Sequence, residues 1–291
     1  MKKLSKKRLA VYIAVAIFLV ICIVTAFSDD NPVLASKQDD SDTVMTIPTI
    51  PVKGDNTIYG LACEGCNDSV VYLLPEDNSD PIEFDILEAT RSNCVKGNIK
   101  VGDWIAVVPD SKDKKKGVFV VDLEQLTGIW CYIVMPKLRD FEHMSNRAQA
   151  KKLEEMPDSV KQTYYIPREY GFWLKSEWQA SSVGYVKEQT ALEEESPVVY
   201  QPLGFFVGWH IWNGKFVMTS GTPYFKDGKG GVKNLANDTC NIDFLSDDSL
   251  VLSDRDGSRS YYKKASISEV NKKAQQMAEQ LSKKALEETQ K

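Results

Sequence analysis

Histidine is scarce in this sequence, and its scarcity argues against several kinds of catalytic and metal site. The 291 residues include two histidines, His143 and His210, and neither has a cysteine or carboxylate at metal-ligand spacing. No nucleophile-elbow motif accompanies either one, so Ser-His-Asp hydrolysis is not indicated. The sequence therefore predicts a non-enzymatic protein without catalytic residues, a metal or a cofactor.

Excess basic charge and phosphate-binding loops are lacking as well. The formal net charge is -5, which disfavours nucleic acid as a partner, because a phosphate backbone requires a basic surface. The glycine-rich segment Asp227–Asn234 (DGKGGVKN) does not match the G-x-x-x-x-G-K-[ST] pattern. We interpret it as a flexible loop between strands.

Charge is absent from residues 9–27, which follow the basic segment MKKLSKKR and precede SDDNP. As a helix with about 1.5 Å rise per residue, this run would be about 28 Å long, close to the roughly 30 Å of a bilayer core. Residues 1–28 are therefore predicted to be a membrane anchor, or a signal peptide cleaved near Val24-Thr25-Ala26. The charge asymmetry places the remainder outside the cytoplasm, either anchored in a cell envelope or secreted.

Cysteine is also sparse, with six in the chain. Cys63 and Cys66 form a single Cys-x-x-Cys pair, and a zinc site usually needs a second such pair. The pair lies between strand-like runs, whereas a thioredoxin-type pair precedes a helix. In an exported chain the first interpretation is a disulfide closing a tight turn. Free thiols, a metal site and a redox pair are the alternatives, and Cys131 and Cys240 either pair or are buried.

The chain between the hydrophobic segment and its end divides into four parts. Residues 29–55 form a linker rich in aspartate, serine and proline. Residues 56–123 contain five strand-like runs separated by turn signals, typical of a small OB-like or SH3-like β domain, with a short helix over residues 86–91. Residues 124–265 and 266–291 are the third and fourth parts.

Residues 124–265 contain eight strand-like runs, interrupted by a predicted helix over residues 139–156 that ends at Pro157. Eight consecutive runs fit an up-and-down β-barrel. Asn213-Gly214 favours a two-residue type I′ hairpin. That turn predicts that Ile211 faces Phe216 and that Trp209 faces Met218. The sequence thus belongs to the all-β class.

The last part, residues 266–291, is predicted to be an amphipathic helix. Ser266 and Glu269 have the spacing of a capping box. Val270, Ala274, Met277 and Leu281 then recur at intervals of three and four residues. We expect this apolar stripe to pack on the protein's own barrel.

The stretch Leu126-Thr127-Gly128-Ile129-Trp130 resembles the G-x-W motif that begins the first strand of lipocalins and related calycin barrels. The segment LSDDSLVLSDRDGSRSYYKKA resembles the closing strands of lipocalin-like domains in exported bacterial proteins. The resemblance covers about half the chain and implies an eight-stranded up-and-down barrel. It also implies that Trp130 fills the closed end under a basic side chain from a late strand, Arg259 or Lys263.

Large apolar side chains alternate along the predicted strands and should point inward. They either fill a solid core or line a cavity for a small apolar ligand. The sequence predicts a non-enzymatic envelope protein that binds such a ligand. The alternatives are a scaffold for an envelope protein partner and, third, a thiol redox protein or enzyme. The candidate lining residues are Trp130, Phe172, Trp178, Phe205, Trp209, Phe216 and Met218.

Overall fold

The structure of the protein is a computed structural model that describes residues 54–77, 79–139, 143–156, 166–184, 198–226, 229–277 and 280. The predicted anchor at residues 9–27, nearly all of the linker and Leu281 lie outside these residues. Within the described part of the chain, no helix has both the length and the apolar character needed to cross a membrane.

The first unit is a six-stranded sheet with strand order β3-β2-β1-β5-β6-β4. A short helix, α1 (Leu87–Arg91), follows β3, as the sequence predicts. A parallel bridge between Asp85 and Lys116 brings the end of β3 beside the start of β6, so the sheet is curled. The strands are β1 (Ile58–Ala62), β2 (Val70–Pro75), β3 (Ile82–Asp85), β4 (Val95–Lys96), β5 (Trp104–Pro109) and β6 (Gly117–Asp122).

The second unit begins with helix α2 (Leu123–Leu126) and contains an eight-stranded antiparallel sheet of order β10-β9-β7-β16-β15-β14-β13-β12. Two short strands, β8 (Lys137–Leu138) and β11 (Val198–Val199), pair separately. The eight strands are β7 (Gly128–Val134), β9 (Arg168–Leu174), β10 (Ala180–Val183), β12 (Phe205–Trp212), β13 (Lys215–Lys226), β14 (Lys229–Leu245), β15 (Ser249–Ser253) and β16 (Ser258–Lys264).

This large sheet curls until its two edge strands, β10 and β12, come into contact. Gln179 and Gly208 form a bridge at this seam. The Trp209 backbone N–H donates to the Trp178 carbonyl at 2.9 Å, and the Phe206 N–H donates to Ser182 Oγ at 2.7 Å. The seam therefore has few backbone hydrogen bonds, and a serine side chain supplies part of the connection.

Three predicted elements differ in the structure. Asp227–Asn234 was expected to be a loop, but its residues from Lys229 onward belong to β14, because they pair with the end of β13. The inserted helix is shorter than 139–156: it is α3 (Asn146–Glu155), capped by Ser145, and β8 occupies the chain before it.

The predicted capping box at Ser266 is also not formed. Ile267–Glu269 is a 3-10 turn, and Ser266 makes no side-chain cap. The Ser266 hydroxyl instead meets that of Ser268 at 2.9 Å, and helix begins at residue 272. The helix start is displaced because Asn271, with a φ of 60°, interrupts the chain.

The two sheets share a hydrophobic core. In β5, Ile105 belongs to the core of the first sheet, whereas Ala106 packs against residues of the curled sheet. Tyr59, Trp104 and Phe119 also face the curled sheet. Successive strand residues point to opposite faces, so β5 is covered on both sides. This double coverage explains why WIAVV is continuously apolar.

The first sheet covers one end of the curled sheet, which we call the closed end. The turn after β9 brings Trp178 within 4.6 Å of Trp104, between ring centroids. The β12–β13 turn contributes Asn213, whose N–H donates to Asp55 Oδ1 at 3.1 Å. The opposite, open end carries the β13–β14 and β15–β16 hairpins.

The C-terminal segment packs on the outer face of the curled sheet. Val270 is buried in a cluster with Ile129 and Cys131 of β7, and Ala274 is also buried. For Val270, the first residue of the predicted stripe, these contacts confirm the expectation of packing on the protein's own sheet. Met277, in contrast, is exposed.

Glu169 fixes the start of this C-terminal segment. Its Oε2 accepts from the Asn271 N–H at 2.6 Å, while its Oε1 accepts from the Tyr262 hydroxyl at 2.6 Å. Lys264 Nζ lies 2.8 Å from Oε1. Burial alone would raise the pKa of Glu169, but the hydrogen bonds from Lys264, Tyr262 and Asn271 outweigh it and hold that pKa below its usual value.

Candidate ligand-binding interior of the curled sheet

The closed end of the interior is filled by Trp130 and crossed by Lys263. Trp130 is fully buried, and its Nε1–H donates to the Leu126 carbonyl at 2.7 Å. Lys263 is directly opposite Trp130 in the register of β7 and β16, and its Nζ lies 5.0 Å from the Trp130 ring centroid. The resemblance implied that either Arg259 or Lys263 covers Trp130. The register shows that Lys263 does.

Gly128 leaves room for this lysine. A Cβ at Gly128 would lie 2.5 Å from Lys263 Cε, and the φ of Gly128 is 127°. Side chains rarely adopt that backbone conformation. The glycine two residues before Trp130 is thus required both by its backbone angle and by the lysine stem that passes over it.

Polar groups surround the lysine at the closed end. Lys263 Nζ donates to the Gln125 carbonyl at 2.8 Å, and burial lowers the pKa of Lys263. Asp122 caps α2 by accepting from the Gln125 N–H at 2.9 Å. Burial raises the pKa of Asp122 to about 6. Gln125 Nε2 donates to Asp247 Oδ1 at 2.6 Å, which ties α2 to the β14–β15 turn.

Aromatic rings fill the interior next to this end. Trp209 lies 6.2 Å from Phe216, and Phe216 lies 6.1 Å from Phe172, between ring centroids. All three are buried, as is Met218. The structure therefore brings together six of the seven candidate lining residues in one core: Trp130, Phe172, Trp178, Trp209, Phe216 and Met218.

Phe205 is the exception, and the prediction for it is corrected. The register of β12 against β13 shifts between Phe206 and Gly208, so that Val207 is an extra residue in a β-bulge. The bulge places Phe206 on the face of Trp209. Phe206 packs against the core, with its ring 6.2 Å from that of Phe172. No local sequence signal marks such an insertion.

Trp178 joins the core from a turn rather than from a strand. It follows β9 with a φ of 63°. Its ring centroid lies 5.1 Å from Trp209 and 5.0 Å from Tyr59 of the first sheet. Trp178 thus closes the space between the two sheets and is not in the position expected of a cavity-lining side chain.

Two tyrosines extend the interior beyond the packed aromatic rings, toward the open end. Tyr132 and Tyr261 are partly buried, and their ring centroids are 5.4 Å apart. Tyr261 also lies 5.0 Å from Phe172. The Arg259 guanidinium lies 4.5 Å from the Tyr132 ring centroid. Burial raises the pKa of Tyr261 to about 12, although Arg259 opposes the shift.

Sequence reasoning did not single out these two tyrosines as lining residues, although a signal was present. Tyr132 follows Trp130 by two positions, and Tyr261 precedes Lys263 by two positions. Because side chains alternate along a strand, each shares a face with its partner.

Cys63 and Cys66 are free thiols, so the predicted disulfide is not formed in the structure. The two sulfurs make different contacts: Cys63 Sγ donates to the Leu61 carbonyl at 3.9 Å, whereas Cys66 Sγ accepts from the Tyr72 N–H at 3.3 Å. Across the described residues, no group of three or more His, Cys, Asp or Glu side chains could hold a metal ion.

Cys131 and Cys240 are also free. Cys131 is buried in the outer cluster beneath Val270, while Cys240 packs against the interior core. They lie on opposite faces of the curled sheet, which prevents them from pairing. The alternative of separate, partly or fully buried thiols is the one found.

The chain was compared with protein families, curated proteins and solved structures. No protein-family model matches the chain, and no curated protein matches it. Among solved structures, a lipocalin-like protein from Bacteroides thetaiotaomicron VPI-5482 is similar at 17% sequence identity and a TM-score of 0.25. The match covers 48% of this chain and 96% of that one.

Proposed function

We propose that this chain is a non-enzymatic, lipocalin-like binding protein that takes a small apolar molecule into the open half of its curled sheet. The observation that carries the proposal is the change from a packed aromatic core in the closed half to partly buried tyrosines beside Arg259 farther along the interior, where Val134 and Tyr170 on the same face are 6% and 5% exposed. Trp130, Trp209 and Phe216 are at most 1% exposed, so the closed half is a packed core. Tyr132 and Tyr261, toward the open end, are only partly buried.

Arg259 suggests the chemistry of the ligand. Its guanidinium lies over the Tyr132 ring, at the edge of the apolar interior. Among the described residues, no carboxylate forms an ion pair with it. The neighbouring Asp254 carboxylate instead accepts from the Asp256 and Gly257 backbone N–H groups at 2.8 and 3.1 Å. An apolar molecule with one carboxylate, such as a fatty acid, would pair with this cation.

The test uses residues 54–291 rather than the second unit alone, because the two sheets share a core. Nile red should increase in fluorescence on binding, and palmitate should displace it. Arg259→Met should weaken palmitate binding about tenfold, since a hydrogen bond to a charged group contributes about 1.5 kcal/mol. Hexadecanol, which has no carboxylate, should be unaffected.

Arg91→Met is the matched control. Arg91 is exposed in α1 of the first sheet, so its replacement changes the net charge equally without altering the open end of the curled sheet. It should leave both affinities unchanged. Failure of Nile red and palmitate to bind the folded protein would contradict the proposed function.

The second candidate is a scaffold in which both sheets serve protein contacts. The shared aromatic core of Tyr59, Trp104, Trp178 and Trp209 favours it, because these rings hold two units in a fixed arrangement. A folded protein that binds no apolar probe but retains an envelope partner in crosslinking would support this role.

We also propose that residues 9–27 place the protein at a cell envelope, with the described part outside the cytoplasm. The support is the charge pattern around this uncharged segment. Fractionation of the full chain and of a chain lacking residues 1–28 tests it. The full chain should remain with the membrane after a high-salt wash, and the shortened chain should not.

A further inference from the structure

The β13–β14 hairpin projects beyond the rest of the curled sheet. Pairing of β12 with β13 ends at Gly221, and pairing of β15 with β14 ends at Asn241. From Thr222 to Lys226, β13 pairs only with Lys229 to Lys233 of β14. We call residues 222–226 and 229–233 the ribbon.

Two exposed aromatic residues lie near the tip of the ribbon. Tyr224 is 40% exposed and Phe225 is 65% exposed. They face Gly231 and Gly230 across the ribbon, and a Cβ on these glycines would lie 2.7 Å and 3.3 Å from the respective rings. The glycines therefore allow each ring to lie against the opposite strand, with its outer surface exposed.

The ribbon is also basic in a chain that is acidic overall. Its sequence contains three lysines, at positions 226, 229 and 233, and the two residues between its strands add one aspartate, at position 227, while the whole chain has a net charge of -5. An anionic surface would attract the ribbon and repel most of the remaining protein. The turn at residues 112–116 is also basic, so charge favours both segments, and the exposed rings distinguish the ribbon.

We propose that the ribbon binds the surface of an anionic lipid bilayer. Tyrosine belongs to the membrane interface, because its ring has an apolar body and a polar end. Phenylalanine adds apolar area, and lysines near an anionic bilayer strengthen binding by about fivefold each. A projecting basic ribbon with exposed rings on both faces combines these features. This inference does not depend on ligand binding in the interior.

The test measures lysine acetylation on the full chain, reconstituted into vesicles of phosphatidylcholine alone or of phosphatidylcholine with about one-third anionic phosphatidylglycerol, which gives the bilayer a negative surface potential. Mass spectrometry reports the rate at each lysine. On anionic vesicles, Lys226, Lys229 and Lys233 should be acetylated at least about fivefold more slowly than on neutral ones. Lys112 and Lys114, in an exposed turn of the first sheet, are internal controls and should not change.

A pair of variants tests the role of the aromatic residues. Phe225→Ser should remove most of the protection, because the ring supplies the apolar contact with the interface. Phe244→Ser is the matched control: Phe244 is 50% exposed on the same strand but lies near the closed end, so protection should persist.

Equal acetylation of ribbon and control lysines on anionic vesicles would overturn the proposal. Equal protection on neutral and anionic vesicles would also overturn it, since the charge argument would then fail. The wild-type measurement decides the outcome even where a variant folds poorly.

Discussion

Replacing Gly128 with alanine tests how the closed end is built. The substitution adds one methyl group at a position whose φ is 127°. That methyl group would lie 2.5 Å from Lys263 Cε and 3.3 Å from Lys263 Nζ. The backbone must therefore either change conformation or retain its strain, and in both cases the lysine stem must move.

The expected cost has two parts. A non-glycine residue held in this backbone region costs about 1–3 kcal/mol. Displacing Lys263 also weakens its contact with the Trp130 ring, which contributes about 0.5–2 kcal/mol, and its hydrogen bond to the Gln125 carbonyl. We expect Gly128→Ala to lower the free energy of unfolding by about 3 kcal/mol in total.

A double-mutant cycle separates the two parts. Lys263→Ala removes the atoms that the new methyl group would meet, so in that background Gly128→Ala should cost only its backbone strain. Urea unfolding of residues 54–291, followed by far-UV circular dichroism, gives the four free energies. The coupling should be at least about 1 kcal/mol.

Additivity would refute this reasoning. If the two substitutions add to within about 0.4 kcal/mol, as independent sites do, the lysine stem does not constrain Gly128. The glycine would then be required only by its backbone angle.

Three further predictions concern the cap, the bulge and the C-terminal segment. The pKa of Asp122 is raised to about 6, so folding favours its neutral form, and the free energy of unfolding should fall as the pH rises from about 4 to 6. Urea unfolding of Asp122→Asn should lack this fall. If the variant keeps the pH profile of the wild type, the prediction is contradicted. Phe206→Ala should lower the free energy of unfolding, measured in urea, by about 2 kcal/mol, because the bulge turns Phe206 to the core. Phe205→Ala should lower it clearly less. A larger loss for Phe205→Ala than for Phe206→Ala would argue against the bulge. Glu169→Gln should raise hydrogen exchange several-fold at residues 272–277, because it weakens the hydrogen bonds that hold Asn271. Unchanged exchange would show that these hydrogen bonds do not fix the segment.

Local sequence was sufficient for the β12–β13 hairpin. Asn213 and Gly214 have φ values of 47° and 81°, as a type I′ turn requires. The predicted pairs also occur: Ile211 faces Phe216, and Trp209 faces Met218. A two-residue turn sets the register of the adjoining strands, so no distant contact was needed to predict them.

The candidate site was predictable only in part. Alternation correctly placed Trp130, Phe172 and Trp209 in the interior, because the period of two depends only on local strand geometry. The exchange of Phe205 for Phe206 was not predictable, since the extra residue in β12 depends on pairing with β13. The ribbon was missed for a similar reason: its glycines indicate a loop until Tyr224 and Phe225 are placed opposite them.

By itself, the sequence determined the alternation of the strands, the tight turn at Asn213 and the position of Trp130 at the start of β7. Tertiary structure alone decided that Lys263 rather than Arg259 covers Trp130, and that the first sheet shares the core of the second. The physical reason is that turns and alternation follow from the angles of neighbouring residues. Which basic residue meets a distant tryptophan, and which faces are buried together, depend on how strands far apart in the chain come into register.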